Sequence, residues 1–147
     1  MKIILNNNSL FKSLRPFNDI GFVPTMGSIH EGHLSLIERS NQNCKKTIVS
    51  IFVNPKQFNN KKDFKNYPSN IKEDINILKK TKKVDFLYIP KFKDVYNNNK
   101  KSNIKITKKN KILCAKFRKG HFEGVLDVMG RLTNLVNPKK IFMGKKD

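Results

Sequence analysis

Two histidines flank a glycine in Pro24-Thr25-Met26-Gly27-Ser28-Ile29-His30-Glu31-Gly32-His33, and no other stretch of this chain is so well suited to chemistry. Imidazoles can donate hydrogen bonds to phosphate oxygens, more strongly when protonated. Gly32 lets the backbone come close to a ligand. The stretch follows an apolar run, Ile20–Val23, and opens an amphipathic segment, Leu34–Cys44. That order reads as strand, tight turn, helix. Backbone N–H groups at such a helix start are expected to point outward and unpaired, which makes a site for anions. Met26, Gly27, Ser28, Ile29, His30, Glu31, Gly32 and His33 are therefore candidate contacts to a nucleotide phosphate. The alternative is that His30 and His33 are ordinary turn and capping residues. Gly27 and Gly32 have the spacing of a P-loop, but His33-Leu34 stands where Lys and Ser or Thr are needed, so that reading fails.

Further candidates lie along the chain. Gln57, in Asn54-Pro55-Lys56-Gln57-Phe58, carries an amide that donates and accepts, as a small ligand with hydroxyl and carboxylate groups requires. It reads equally as a surface glutamine. Glu73 and Asp74 are adjacent carboxylates that could approach a magnesium ion or form a solvated face. Arg118-Lys119-Gly120-His121-Phe122-Glu123-Gly124 reads as a second anion-facing turn ahead of a helix. Gly144-Lys145-Lys146-Asp147 could meet a nucleotide, lysine by charge and aspartate through a ribose hydroxyl.

The elements that must hold these residues alternate. Strands are expected at Ile20–Val23, Thr47–Val53, Val84–Ile89 and Ile141–Met143, with a short one around Ile104 and Ile106. Helices are expected at Leu34–Cys44, at Asn70–Lys80 with Ser69 or Asn70 as cap, and at Val125–Val136, ended by Asn137-Pro138. Asn97–Lys111, rich in lysine and asparagine, reads as a mobile surface loop. Alternation of this kind predicts an α/β fold with a parallel sheet and right-handed crossovers, its ligands at the C-terminal ends of the strands. The turn at Pro24–His33, the loop at Asn54–Phe58 and the terminal Gly144–Asp147 all fall there.

The chain has 147 residues, one domain's worth, and 37% of them are hydrophobic, with 11 Phe among them. No apolar run approaches the roughly 20 residues of a membrane span, and Met1–Leu5 is too short for a secretory leader. A cytoplasmic protein is the expectation. Cys44 and Cys114 suggest neither a disulfide framework nor a zinc site. The net charge of +20 invites a nucleic-acid partner. Lysine and asparagine share A-rich codons, however, and the lysines are spread along the chain, so no specific nucleic-acid partner is inferred. Ending on Gly-Lys-Lys-Asp right after a strand, the sequence reads as cut.

Together these segments resemble pantothenate synthetase, the pantoate–β-alanine ligase family. The resemblance rests on Phe22–Leu34, Ser50–Phe58, Asp63–Asp74, Arg118–Val125 and Phe142–Asp147, in family order and spacing. It implies a Rossmann-like domain of the nucleotidylyltransferase type carrying the H-x-G-H turn, one domain over residues 1–147 with the family's C-terminal domain absent. It also implies use of ATP and Mg²⁺ to join pantoate to β-alanine through a pantoyl adenylate, releasing AMP and pyrophosphate, in a protein that is a homodimer when whole. On the matching positions, Met26–His33 and Gly144–Asp147 line the ATP site. His33 holds the place of the family's proton donor, His30 shares the phosphates, Gln57 binds pantoate near the β-alanine site, and Glu73 and Asp74 match carboxylates near the metal. Lys145 stands where the family has glutamate, and Asp127 where it has threonine. Two rival readings are another nucleotidylyltransferase sharing only the turn, and a nonenzymatic, polyanion-binding remnant.

Overall fold

The computed structural model describes residues 1–55, 70–96 and 119–144, with side chains from residue 125 onward in the last of these segments. Five strands form one parallel sheet: β1 (Lys2–Ile4), β2 (Ile20–Thr25), β3 (Lys46–Ile51), β4 (Phe86–Tyr88) and β5 (Lys140–Ile141). Between them run α1 (Asn7–Leu14), α2 (Glu31–Asn43), α3 (Ile71–Thr81), α4 (Phe92–Val95) and α5 (Lys119–Val136). The strand order is β1-β4-β3-β2-β5. The expected Rossmann-like α/β architecture is the one that forms.

Alternate residues of each strand feed opposite faces, as the pleat requires. Phe22, Ile48, Phe86 and Tyr88 pack with Leu10 and Leu14 of α1 and with Val128, Leu132 and Val136 of α5. Val23, Val49 and Leu87 pack with Leu36 and Ile37 of α2 and Leu78 of α3. Helix α2 lies close on β2 because residue 21 is glycine: a Cβ there would sit 2.1 Å from the Ser40 Oγ. That hydroxyl in turn bonds the Thr47 Oγ1 of β3 at 2.7 Å.

Pro24 stands inside the central strand β2, where proline is rare. It shares its side of the strand with Ile20 and Phe22, whose carbonyls accept from Lys139 and Phe142. Strand β5 pairs only with Gly21 and Phe22, so it stops short of Pro24 and the missing donor breaks no rung. From β2 the chain moves through β3 to β4, then returns to β5 on the other side of β2. The order of strands reverses at β2, the kind of point outside whose C-terminal end such sheets bind ligands. The turn after β2 leaves from that end.

Several expected boundaries shift. Helix α2 begins at Glu31, three residues before the apolar stripe that marked it, because His30 caps it. Strand β2 extends to Thr25, whereas β3 ends at Ile51 and β4 keeps only Phe86–Tyr88. Strand β5 is Lys140–Ile141, not Ile141–Met143, and α3 starts after its cap Asn70 as expected. Strand β1 and helices α1 and α4 had no sequence reading. Helix α5 begins at Lys119, so Lys119–Gly124 is helical and not a turn ahead of the helix. The short strand around Ile104 and Ile106, the Asn97–Lys111 loop, Cys114 and Arg118 lie outside the described residues.

Candidate functional site

The turn between β2 and α2 is held by a chain of hydrogen bonds. Thr25 Oγ1 donates to the Ser50 carbonyl at 2.9 Å and accepts the Gly27 N–H at 3.1 Å. Gly27 and Ser28 both take positive φ, 84° and 54°. For serine that conformation costs about 1 kcal/mol, so something must hold it. Asp74, in the first turn of α3, supplies the hold. Its Oδ2 accepts the Ser28 N–H at 3.0 Å and its Oδ1 the Ile29 N–H at 2.9 Å. Ile29 then turns its side chain into the core beside Val23 and Leu36.

The two histidines cap α2 for each other. His30 Nδ1 accepts the Gly32 N–H at 3.0 Å, and His33 Nδ1 accepts the His30 N–H at 3.2 Å. The rings lie 4.0 Å apart, centroid to centroid. A Cβ on residue 32 would approach His30 Cε1 to 2.8 Å, so the glycine makes room for the His30 ring over the helix start. An imidazole nitrogen that accepts carries no proton, so in its neutral form each ring would hold its proton on Nε2. His33 is only 4% exposed, whereas His30 is exposed.

This arrangement corrects the expected anion site in one respect. The N–H groups of Gly27, Ser28, Ile29, His30 and Gly32 do not point outward unpaired. Each has a partner within the protein. Those five amides are therefore already engaged within the protein.

The other candidates fall in different places. Gly144 follows β5, the neighbour of β2, at the same end of the sheet. Gln57, Lys145, Lys146 and Asp147 lie outside the described residues. Met26 is partly buried and Glu31 exposed. Glu73 and Asp74 do not converge: Glu73 is exposed, while Asp74 is 3% exposed and gives both oxygens to the turn. Among the described residues no three His, Cys, Asp or Glu side chains gather as a metal site. The pair therefore does not fit a shared Mg²⁺ ion. No described helix is long and apolar enough to cross a membrane.

Two features at this end of the sheet had no sequence reading. One is an open apolar cleft of about 380 Å³ between Ile51, Phe52, Pro55, Ile71, Pro90 and Phe92. It reaches the turn through Ile51, whose Cγ2 would lie 3.4 Å from a Cβ on Gly27. The other is a buried polar cluster joining the end of β3 to α4 and α5. Arg131 is 8% exposed, and its Nε lies 3.1 Å from both carboxylate oxygens of Asp127. Its guanidinium stacks 4.6 Å over the Tyr96 ring. Burial, and then the Asp127 carboxylate, push the Tyr96 phenol up to about 12, against the pull of Asn54 and Arg131. The i, i+4 spacing of Asp127 and Arg131 was the one signal of this cluster available in the sequence.

Residues 3–147 match the family model for pantoate-beta-alanine ligase. The chain is 42% identical to the pantothenate synthetase of Pseudothermotoga lettingae over 147 residues, all of this chain and 52% of that protein. To the pantothenate synthetase of Bartonella tribocorum it is 44% identical over 128 residues, 87% of this chain and 44% of that protein. It thus spans about half the length of these curated relatives. Its fold is similar to the crystal structure of pantothenate synthetase from Thermus thermophilus, at a TM-score of 0.81 and 34% identity over 96% of this chain and 51% of that one. A pantoate-beta-alanine ligase from Francisella tularensis, complexed with beta-gamma ATP and beta-alanine, matches at 0.81 and 36% identity, over 96% of this chain and 55% of that one.

Proposed function

The chain belongs to the pantoate-beta-alanine ligase family, and from that membership we propose that residues 1–147 form the nucleotide- and pantoate-binding domain of an enzyme that makes pantothenate. The observation that carries this reading is the mutual His30–His33 cap at the switch point of the sheet. It fixes two imidazole rings at the place where an α/β sheet of this order binds its ligands.

The reaction has two steps. A carboxylate oxygen of pantoate attacks the α-phosphorus of ATP, and the bond from that phosphorus to the bridging oxygen breaks, so pyrophosphate leaves. The amine of β-alanine then attacks the acyl carbon of the pantoyl adenylate. AMP departs and the amine gives up a proton. Neither step needs a covalent bond to the protein. The chain's contribution is to align the reactants and to meet the charge that develops on phosphate oxygens. His33, fixed by its Nδ1 bond and held in a nearly dry setting, donates its Nε2 proton toward those oxygens, and His30 assists from the exposed side. Gly144–Asp147 form the second nucleotide-contacting segment, and Gln57 receives pantoate beside the β-alanine site. The partners are small molecules in the cytoplasm, and the whole protein is a homodimer. Mg²⁺, which the family implies, would reach the site with the nucleotide phosphates; no step is assigned to it.

The experiment is pyrophosphate release from ATP by a protein that contains residues 1–147, with pantoate compared against other carboxylic acids. Release that depends on pantoate supports the reading. Equal release with unrelated acceptors, or none with any, contradicts it.

A further inference from the structure

We propose that Asp74 is a positioning residue that shapes the His30–His33 turn, and that it is not a metal ligand. The inference rests on the functional reading above only in what the turn is for. The local chemistry stands by itself. A carboxylate in the first turn of a helix commonly caps its own helix, yet here Asn70 does that work through the Glu73 N–H. The Asp74 carboxylate is spared and crosses to another segment, 46 and 45 residues away in sequence, to take the N–H groups of Ser28 and Ile29.

Three consequences follow from that geometry. The two bonds hold Ser28 in the left-handed region, where a residue with a side chain does not rest unaided. They place Ile29 in the core and so set the point from which His30 enters the helix. They also leave a buried negative charge under a turn that is to meet a triphosphate. That charge is tolerated because two N–H donors and the positive end of α3 face it. A metal ion would have to share those same oxygens in a nearly dry pocket, with Glu73 on the solvent side. Glycine at position 27 fits the same picture: a Cβ there would press to 3.2 Å from Asp74 Oδ2.

The test is amide hydrogen exchange at Ser28 and Ile29, read by NMR on residues 1–147, with Mn²⁺ then titrated into the wild-type sample. Both amides should exchange slowly in the wild type. In Asp74→Asn, which keeps one acceptor and turns an NH₂ toward the other donor, they should exchange about ten- to hundredfold faster. Phe22 and Val23 should keep their rates. The Asp74 carboxylate carbon should stay sharp as Mn²⁺ is added. ATP affinity should fall by the same factor in Mg²⁺ and in EDTA. Fast exchange in the wild type, Mn²⁺ broadening confined to Asp74, or an affinity loss seen only with Mg²⁺ would overturn the proposal. If Asp74→Asn does not fold, the wild-type exchange rates and the Mn²⁺ response decide. If the wild type binds no ATP, the functional reading fails, while the exchange and Mn²⁺ results still judge Asp74.

Discussion

His33 Nδ1 accepts the backbone N–H of His30, and His30 Nδ1 accepts that of Gly32, so each imidazole is fixed by the turn it caps. One pair of rings thus closes the start of α2 through two reciprocal bonds.

Gly32→Ala probes that closure. Alanine favours the helix by up to about 1 kcal/mol over glycine, but its Cβ would meet the end of the exposed His30 ring at 2.8 Å. The ring can swing away, so the two effects nearly cancel. We expect stability to stay within about 0.5 kcal/mol of the wild type in urea titration. The His30 ring resonances should move, and ATP affinity should fall. A large stability loss would mean that the His30 ring cannot yield.

Asp127 holds the buried Arg131 guanidinium one turn along α5. Asp127→Thr keeps a polar side chain but takes that carboxylate away from Arg131. The cost should be about 2 kcal/mol, below the range for fully buried pairs because the Asp127 side chain keeps 17% exposure. Adding Arg131→Met should recover most of the loss. A double-mutant cycle by chemical denaturation checks this, and strict additivity would show that the pair does not interact.

Alkaline pH should loosen the fold through Tyr96. Its phenol is raised from 10 to about 12, mainly by burial, and burial raises that of Tyr88 as well. Between those values the unfolded chain has lost the proton that the folded chain keeps, so the unfolded state binds fewer protons. The contribution is complete below about pH 10 and disappears as pH climbs toward 12. Denaturation midpoints across that window, paired with phenolate absorbance, should show stability falling before these phenols ionise. A midpoint independent of pH would exclude the effect.

Much of this was legible in the sequence where local signals are strong. Thr47–Val53 is rich in β-branched residues and mostly apolar, and Ile71, Ile75 and Leu78 repeat at helical spacing, so a strand and a helix were evident. Their alternation was enough to give the parallel sheet. Lys2–Ile4 escaped because three residues carry no periodicity, and that strand exists only through its pairing with Phe86–Tyr88. The turn was located correctly but its amides were assigned wrongly. The acceptor for Ser28 and Ile29, Asp74, arrives from a helix more than forty residues away, and no local pattern reports such a contact. The same holds for Tyr96, which meets Arg131 only after α4 and α5 pack.

On the proposed function, the imidazole pair at the switch point holds the phosphates of ATP. Titration calorimetry of ATP into residues 1–147 and into His33→Ala checks this. One saturable site is expected in the wild type, with a loss of affinity of about tenfold or more in His33→Ala, the worth of one hydrogen bond to a charged group. No saturable site in the wild type, or equal affinity in the two proteins, would contradict it.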